Sequence, residues 1–566
     1  MIRSLTPADD VQAALNAAQP GDDIVLAPGV YHQDLHVLKG GAPGAPVTMR
    51  AAEPSVATID GGSPPGGYSP AFEHVRSDLY RTEAPERVWW LTAGGRNLVN
   101  YGTLENLLDF RFPNPDSGQP CECVPEGFAW EDGVLHVRLD EGADPRQAKI
   151  ETRRPGGHST SEPEYAEEFC FAPDFGYYVP GSGCLISRTL ANVIVSADHV
   201  VIEGLRLHMG GGAAVVVHGS HVTVRDCLMT GAHLGVLQPD MREVPTGGAD
   251  RCATGYVRTA VGLTVERCEF GGGPLYQWVR RDQKYWAALY HSSMGVVFMN
   301  WGGPRSVVRQ NWMYECFDGL EPRGNGTSSA EDACECSHNL IQNCADDSIE
   351  FDSRTAMNLR LHHNVILDGM CLLALSPVMG GGLTIDHNIV YVSPEHGLQN
   401  CVLFKMGSPW GSGLPTQGTR IIHNTLVNRR GGLYWCGDDH RYADNLFENN
   451  IMWVTQSRPW DLPGFHVSAQ NLYCGPDVKP DHLPHVPHAR DAGFVSLDPI
   501  DFHLRPDSPA AGTGAPSADG QADLGAIGRG ERWEFPRPGP SWACDVDVAG
   551  RPQIPASMPR SWVGLA

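Results

Sequence analysis

The sequence predicts an all-β protein: a right-handed, single-stranded parallel β-helix with an N-terminal cap helix and an inserted β subdomain. Three observations predict it: a repeat through the middle of the chain, apolar residues that alternate with period two, and a turn-rich composition. Gly (65) and Pro (44) are abundant among the 566 residues, while 41% of the chain is hydrophobic. This balance is typical of a folded protein with many tight turns and a continuous core.

A short unit recurs from about residue 200 onward. It is an alternating strand followed by polar residues, then Asn or Cys, then an apolar residue, as in Leu359-Arg-Leu-His-His-Asn364-Val and Leu383-Thr-Ile-Asp-His-Asn388-Ile. The marked positions are 204, 227, 268, 311, 339, 364, 388, 424 and 450. The shortest gaps fit one coil of three short strands, and the longer ones indicate coils with inserted loops.

The recurring Asn predicts a ladder at one bend of the coil. We expect each Asn to take the left-handed conformation and its amide to hydrogen-bond to the same residue one coil away. Cys227 and Cys268 occupy the same slot in their coils. Four histidines directly precede the Asn residues, and we interpret them as turn residues at the surface rather than metal ligands: His338, His363, His387 and His423.

The repeat also predicts how the chain is organised. Residues 1–62 form the N-terminal cap and first coils, in which Asp9 or Asp10 caps a helix over residues 11–18. Residues 63–190 break the repeat and are expected to form an inserted β subdomain or loops beside a groove. Residues 191–500 form the β-helix that carries the groove. Residues 501–566 are rich in Pro and Gly and form a C-terminal cover and tail.

Composition and charge exclude several classes of function. The net charge of −24 and the presence of only five lysines argue against nucleic acid and favour a neutral or weakly charged substrate. No apolar run is long enough to span a membrane, and the first residues do not form a signal peptide. We therefore expect an extracellular or periplasmic protein if a leader was removed, and a cytoplasmic one otherwise. The sixteen cysteines are expected to be mostly free thiols, and the oligomeric state is left open.

Four features of the chain resemble the right-handed parallel β-helix superfamily. They are the cap helix, the segment Gly21-Asp-Asp-Ile-Val-Leu-Ala-Pro-Gly-Val-Tyr31, the repeated His-Asn turns and the ending Phe502-His-Leu-Arg-Pro-Asp-Ser-Pro509. This pectate-lyase-like group includes polysaccharide lyases, uronan epimerases and glycoside hydrolases. The resemblance implies the fold and a carbohydrate partner, and leaves the reaction open.

Two narrower resemblances do not extend to a catalytic site. Pro46-Val-Thr-Met-Arg50 and Ile59-Asp-Gly61 are similar to the chondroitinase B and alginate lyase family, but the Lys and Arg-His-Gly segments of that family are absent. The pair Asp346-Asp347 resembles the aspartates of polygalacturonases, whose other motifs are also absent.

The densest acidic cluster falls on two consecutive coils. One carries Asp318, Glu321 and Arg323, and the next carries Asp346, Asp347, Glu350 and Asp352. Counted from the Asn ladder, Asp318 aligns with Asp347 and Glu321 aligns with Glu350, to within one residue. Alternation turns Glu321 and Glu350 outward and Asp347 inward, unless the strand begins at Ser348.

The first hypothesis from these positions is a glycoside hydrolase. Adjacent coils lie about 4.8 Å apart, and same-face residues of one strand about 6.7 Å apart, close to the carboxyl separations that glycosidases use. The catalytic candidates are Glu321, Glu350, Asp352 and Asp347. The substrate-binding candidates are Asp318, Arg323, Lys405, Trp278 and Trp301. Lys405 is a lone lysine on an apolar strand, so a salt bridge to the acidic cluster is the alternative for it. This hypothesis requires no metal or other cofactor, and its partner is a poly- or oligosaccharide.

Two alternatives use the same residues differently. In a polysaccharide lyase or uronan epimerase, the acids would hold Ca²⁺ and Lys405 or a nearby His would act as the base. In a non-catalytic glycan-binding β-helix, the cluster would be structural.

Overall fold

The computed structural model describes residues 1–529 apart from 63–71, 86–87, 89–90, 95, 114–119, 123–124, 154–190, 239–240, 245–254, 259, 272–296, 302, 315, 317, 323–329, 352–353, 356–357, 377, 380, 395–400, 408–415, 437–441, 461, 463, 498–499, 517–519 and 521. Short strands dominate this part of the chain and form two long parallel sheets.

The first sheet, wall A, takes one strand from each coil. Its 13 strands pair in parallel through the whole stack. They are Ile2–Leu5, Asp23–Leu26, Val47–Ala51, Val200–Glu203, Thr223–Arg225, Thr264–Glu266, Val307–Arg309, Cys334–Ser337, Leu359–His362, Leu383–Asp386, Arg420–Ile422, Asn445–Glu448 and Phe465–Val467.

The second sheet has 19 strands and forms the other two sides of the coil. Several of its strands run through a bend from one side to the next, so the two sides are joined. The strands of the side that follows wall A, wall B, are Gly29–Tyr31, Ala57–Asp60, Glu269–Gly271, Trp312–Tyr314, Ile389–Val392, Thr425–Asn428, Ile451–Val454, Leu472–Cys474 and His488–Ala489. The strands of the last side, wall C, are Leu35–Val37, Ala191–Val195, Val297–Trp301, Asp318–Pro322, Val402–Met406 and Tyr434–Cys436. The strands that pass from wall B to wall C are Arg206–Val217, Leu228–Leu237, Leu340–Glu350 and Val365–Leu375.

Three parallel walls with one strand per coil make this chain a parallel β-helix, as the repeat predicts. Period-two alternation explains the core, because every second side chain of a wall strand points into the coil. In wall B, for example, Ile341 and Ile366 belong to the internal core, whereas Leu340 and Val365 point outward.

The predicted Asn ladder is confirmed at the bend between walls A and B. Each Asn Nδ2 donates to the Oδ1 of the next Asn at 2.9–3.2 Å, from Asn311 through Asn339, Asn364, Asn388, Asn424 and Asn450 to Asn471. All seven side chains are buried. The ladder continues into the cysteine coils, because the backbone N–H of Cys268 donates to Asn311 Oδ1 at 2.8 Å.

One expectation about this bend is wrong. From Asn339 to Asn424 the left-handed residue is the one before the Asn, as positive φ values at His338, His363, His387 and His423 show. The Asn side chain is engaged in the ladder, and the preceding residue turns the chain. These four histidines stack with nearly parallel rings, with centroids 5.0–5.2 Å apart.

A short helix, Val11–Asn16, covers the first coil, with Val11 and Leu15 buried. Asp10 is its N-cap and accepts a hydrogen bond from the Ala13 amide, which satisfies an amide left without a partner in the first turn. The helix ends two residues earlier than the sequence suggests.

The chain leaves the coils after residue 62 and returns at Ala191–Val195, which pairs directly with Leu35–Val37. The described part of this interruption forms small sheets of mixed direction with one helix, Leu104–Asp109. Its strands are Glu73–Arg76, Leu79–Glu83, Leu91–Ala93, Arg96–Asn97, Val99–Asn100, Arg111–Pro113, Pro120–Glu122, Gly127–Glu131, Val134–Arg138 and Ile150–Thr152. A buried ion pair between Arg153 and Asp34, 2.8 Å apart, ties it to the first coil.

The C-terminal segment packs on the outside of wall B. Phe494, Phe502 and Leu524 join outward-facing residues of the wall such as Leu340 and Val365 in a second apolar cluster. The remaining strand pairs are Met241–Val244 with Gly255–Arg258, Arg354–Thr355 with Val378–Met379, Thr416–Gln417 with Tyr442–Ala443, and Phe494–Leu497 with Ile500–Leu504. Short 3₁₀ turns lie at Asp140–Gly142, Pro145–Gln147, Ala330–Asp332 and Pro480–His482.

The ten cysteines whose side chains are described are all free, and nine of them are buried. Among the described residues, no helix has the length and apolar character needed to cross a membrane.

Candidate functional site

Five acidic side chains converge where wall B bends into wall C. Asp318 and Glu321 come from the strand Asp318–Pro322, and Asp346, Asp347 and Glu350 come from Leu340–Glu350 in the next coil. Carboxylate oxygens of Asp318, Asp346 and Asp347 lie within 4.8 Å of one another, and those of Asp318, Glu321 and Glu350 form a second such group. Asp318 belongs to both groups, so we call these five residues the acidic cluster.

The stacking of the coils explains why acids distant in sequence meet. Leu320 pairs with Ile349 across the two strands, and this register places Asp318 beside Asp347 and Glu321 beside Glu350. The backbone N–H of Asp347 donates to Asp318 Oδ1 at 3.0 Å. The predicted alignment of these pairs is therefore confirmed.

A local irregularity brings both members of the Asp346-Asp347 pair into the cluster. In a regular strand, consecutive side chains point to opposite faces. Here the register against Val365–Leu375 shifts between Cys344 and Asp347, and Asn343 has a positive φ of 57°. The bend breaks the alternation, so Asp347 is not lost to the interior of the coil.

The acidic cluster is buried. Asp318, Glu321, Asp346 and Asp347 are at most 2% exposed, and Glu350 is half-buried. Burial raises the pKa of Asp318 well above its usual range, and the nearby charges of Glu350 and then Asp346 raise it further. Buried like charges are unfavourable, so the arrangement demands positive charge or protons.

Lys405 supplies one positive charge from two coils further along wall C. Its Nζ donates to Asp347 Oδ2 at 2.7 Å, and the two side chains are 12% and 1% exposed. In the backbone register, Glu350 pairs with Ala374 and Ala374 pairs with Lys405. Lys405 and Glu350 therefore share one column, separated only by the small side chain of Ala374.

The donor set of the cluster fits Ca²⁺. This ion prefers six to eight hard oxygen ligands, including mono- and bidentate carboxylates, and the five acids offer ten carboxylate oxygens. Asp318, Asp346, Asp347, Glu321 and Glu350 are the residues that could hold it. A divalent cation would also offset the repulsion that raises the pKa of Asp318.

The structure places most of the predicted site residues together. Asp318, Glu321, Asp347, Glu350 and Lys405 meet as described above. Arg323, Asp352 and Trp278 lie outside the described residues. The strand that holds Trp301 is described and pairs Trp301 with Pro322, but the side chain of Trp301 is not. The roles assigned to these residues stay predictions.

The sequence placed Asp346 in the acidic cluster but not among the catalytic or substrate-binding candidates. Strict alternation would have sent one of the two neighbouring aspartates away from the site. The sequence does not mark the bend that overrides alternation, since an Asn also stands at the ladder bend of several other coils.

No protein-family model and no curated protein matches the chain. Solved structures do. The complex of XylC with xylose is 13% identical over 84% of each chain, with a TM-score of 0.44. A mannuronic acid specific polysaccharide family 6 lyase from human gut microbiota is 10% identical over 86% of this chain and 90% of that one, with a TM-score of 0.40. Pectate lyase Pel9A is 13% identical over 93% and 96%, with a TM-score of 0.40. These likenesses concern the fold, which the strand pairing establishes by itself, and do not bear on the reaction.

Proposed function

We propose that this protein is a carbohydrate-active enzyme, a Ca²⁺-dependent polysaccharide lyase that cleaves a uronic-acid-containing chain by β-elimination. The observation that carries the proposal is the convergence of five acidic side chains beside Lys405 on one wall of the coil. A lyase of this kind needs a site that neutralises the substrate carboxylate and a base next to it.

Ca²⁺ held by the acidic cluster would neutralise the carboxylate of a uronate and acidify the neighbouring C–H bond. The protein's own contribution is to position the cation ligands. Asp318 and Glu321 come from one coil, and Asp346, Asp347 and Glu350 come from the next, so the β-helix holds them on a rigid scaffold.

Lys405 is the proposed base. Its Nζ accepts the proton from C5 of the uronate, and the electron pair of that C–H bond forms the C4–C5 double bond. The C4–O4 bond breaks, its electrons go to the departing oxygen, and that oxygen takes a proton from water. Lys405 must be neutral to act, and its ion pair with Asp347 favours the charged form. Asp347 weakens that ion pair when it serves as a cation ligand.

The geometry supports a hydrolase less well. Glycosidases place two carboxyl groups on either side of the scissile bond. Here Glu321 and Glu350 belong to one group of oxygens with Asp318, which is the arrangement of ligands around a common centre. The lysine beside the cluster has no role in that hydrolytic scheme.

An anionic substrate departs from the expectation based on net charge. The chain has a net charge of −24 and only five lysines, which favours a neutral substrate at long range. A bound divalent cation is the largest local charge in such a site and reverses that balance within it.

The test is a panel of polygalacturonate, alginate, chondroitin sulfate and neutral polysaccharides, each assayed with Ca²⁺ and with a chelator. We expect at least one uronan to yield products with the ultraviolet absorbance of a new C=C bond, and we expect the chelator to abolish it. New reducing ends without that absorbance would replace the proposal with a hydrolase. Binding without any product would replace it with a glycan-binding protein.

A further inference from the structure

Trp435 lies next to Lys405 on the outer face of wall C. The strand Tyr434–Cys436 pairs with Val402–Met406, and the register sets Lys405 opposite Trp435. Together with the pairs Glu350–Ala374 and Ala374–Lys405, this makes Trp435 the next member of the column that runs from the acidic cluster. Neighbouring coils are about 4.8 Å apart, so the indole is one coil beyond the proposed base.

The side chain of Trp435 is directed away from the core. Tyr434 is buried in the internal core, whereas Trp435 is 45% exposed. Alternation along the strand accounts for this difference. A large apolar ring is therefore held in contact with solvent at the side of the base.

The strand that carries Trp435 is held in place by the contacts of its neighbour Tyr434. The Arg458 guanidinium stacks on the Tyr434 ring at 4.2 Å, and Tyr434 also packs edge-on against Trp460. The Tyr434 hydroxyl donates to the Pro459 carbonyl at 2.9 Å. These contacts fix the backbone, so the indole is presented on a rigid element rather than on a loop.

We propose that Trp435 is a stacking platform for one sugar ring of the polysaccharide, in the subsite next to the ring that loses its proton. An indole offers a broad apolar face, and a sugar ring in the chair form has an apolar face of C–H bonds. A polysaccharide that lies across the strands would pass over the acidic cluster, Lys405 and Trp435 in that order. This inference rests on the proposed function, because it takes the position of the reacting ring from Lys405.

Trp435→Ala and Trp435→Phe test the proposal in the full-length protein with Ca²⁺ present. On the uronan that the panel identifies, we expect Trp435→Ala to raise KM about tenfold, equivalent to about 1.4 kcal/mol, with kcat changed less than about twofold. A residue that binds the ground state and the transition state equally affects KM in this way. Trp435→Phe keeps an aromatic face and should restore most of the affinity.

Val495→Ala is the control, because Val495 is 52% exposed and lies in the C-terminal strand pair. Its KM should equal that of the wild type. If Trp435→Ala also leaves KM unchanged while the lyase activity is normal, the stacking platform is refuted and the proposed function stands.

Affinity electrophoresis separates the two proposals when no polysaccharide of the panel is cleaved. Gels containing each polysaccharide would then compare wild type, Trp435→Ala and Trp435→Phe. Weaker retardation of Trp435→Ala alone supports the platform without the lyase. Equal retardation of all three, or no retardation in any gel, overturns it.

Discussion

Lys405 Nζ lies 2.7 Å from Asp347 Oδ2, although 58 residues separate the two in sequence. The β-helix creates this contact, because each coil returns the chain to the same wall one strand further along. The ion pair joins the acidic cluster to the proposed base, so the two parts of the candidate site are coupled.

Replacing Lys405 with Met should abolish lyase activity. Loss of a general base lowers the rate about 10²- to 10⁴-fold, and we expect kcat on the active uronan to fall within that range. Lys405→Arg keeps the positive charge but remains protonated, so it should be nearly as inactive. The measurement is the initial rate of double-bond formation.

Lys39→Met is the matched control, because Lys39 is exposed and lies on the first coils. It should have wild-type activity. A Lys405→Met protein that retains more than about a tenth of the wild-type rate would show that another group takes the proton, since that loss is smaller than a base contributes.

Asp318 predicts how stability depends on pH in the absence of metal ions. Its pKa is raised in the folded protein by burial and by the neighbouring carboxylates. The stability that this group contributes is therefore present below its unfolded pKa and is lost as pH rises through the folded pKa. In a chelator, the melting temperature of the wild type should fall as the pH rises through that range.

Asp318→Asn should remove much of this fall, because the amide cannot ionise while its oxygen can still accept from the Asp347 amide. Melting curves in chelator across this pH range test this, with the exposed Asp477→Asn as a control that should follow the wild type. A wild-type melting temperature that rises steadily with pH throughout, with the same slope in Asp318→Asn, would contradict the prediction.

Ca²⁺ should offset the loss of stability that the ionised carboxylates of the acidic cluster cause in the wild type. A ligand at 100 times its Kd stabilises a folded protein by about 2.7 kcal/mol, so the melting temperature at neutral pH should rise on titration with Ca²⁺. Asp318→Asn, which lacks one charged ligand shared by both groups of the cluster, should require more Ca²⁺ for the same shift. Equal titration curves for the two proteins would place the cation elsewhere.

The contrast between the ladder and the site shows what could be predicted from the sequence. Spacing located the coils, because an Asn at one bend must recur at the length of a coil. It also aligned Glu321 with Glu350. The entry of Asp347 depends on the shift between Cys344 and Asp347, which arises from the bend in three dimensions. The salt bridge between Lys405 and the acidic cluster was one of two roles that the sequence left open. Its partner Asp347 could not be identified, because Lys405 lies two coils away, beyond Ala374.

Asn388 tests the contribution of the ladder to stability. Its Nδ2 donates to Asn424 Oδ1 and to the Leu361 carbonyl, and its Oδ1 accepts from the backbone and side chain of Asn364. Asn388→Ala leaves several buried polar groups without partners, which should cost about 3 kcal/mol. Denaturant unfolding measures this loss. Thr384→Ala, at a half-buried position on the adjacent strand, should lower the free energy of unfolding much less. Equal losses of stability in the two variants would show that the ladder has no special role.

His363 predicts that the solenoid loses stability in acid. Its ring stacks on His338 and His387, with centroids 5.1 and 5.2 Å away, and its Nδ1 lies 2.8 Å from His362 Nδ1. Burial and then the neighbouring histidines lower the pKa of His363 to about 3. Between about pH 6.5 and 3, His363 is therefore protonated in the unfolded chain and neutral in the folded protein. The stability that depends on the neutral ring is complete above about pH 6.5 and declines as the pH falls through this window.

His363→Asn should reduce the loss of melting temperature between neutral and mildly acidic pH, because Asn accepts the positive φ of 54° at this position and carries no titratable ring. The exposed His466→Asn should retain the wild-type profile. Melting curves at matched ionic strength make the comparison, since carboxylates with lowered pKa values act equally in all three proteins. Parallel profiles for wild type and His363→Asn would mean that the stacked histidines accept protons without any penalty to the fold.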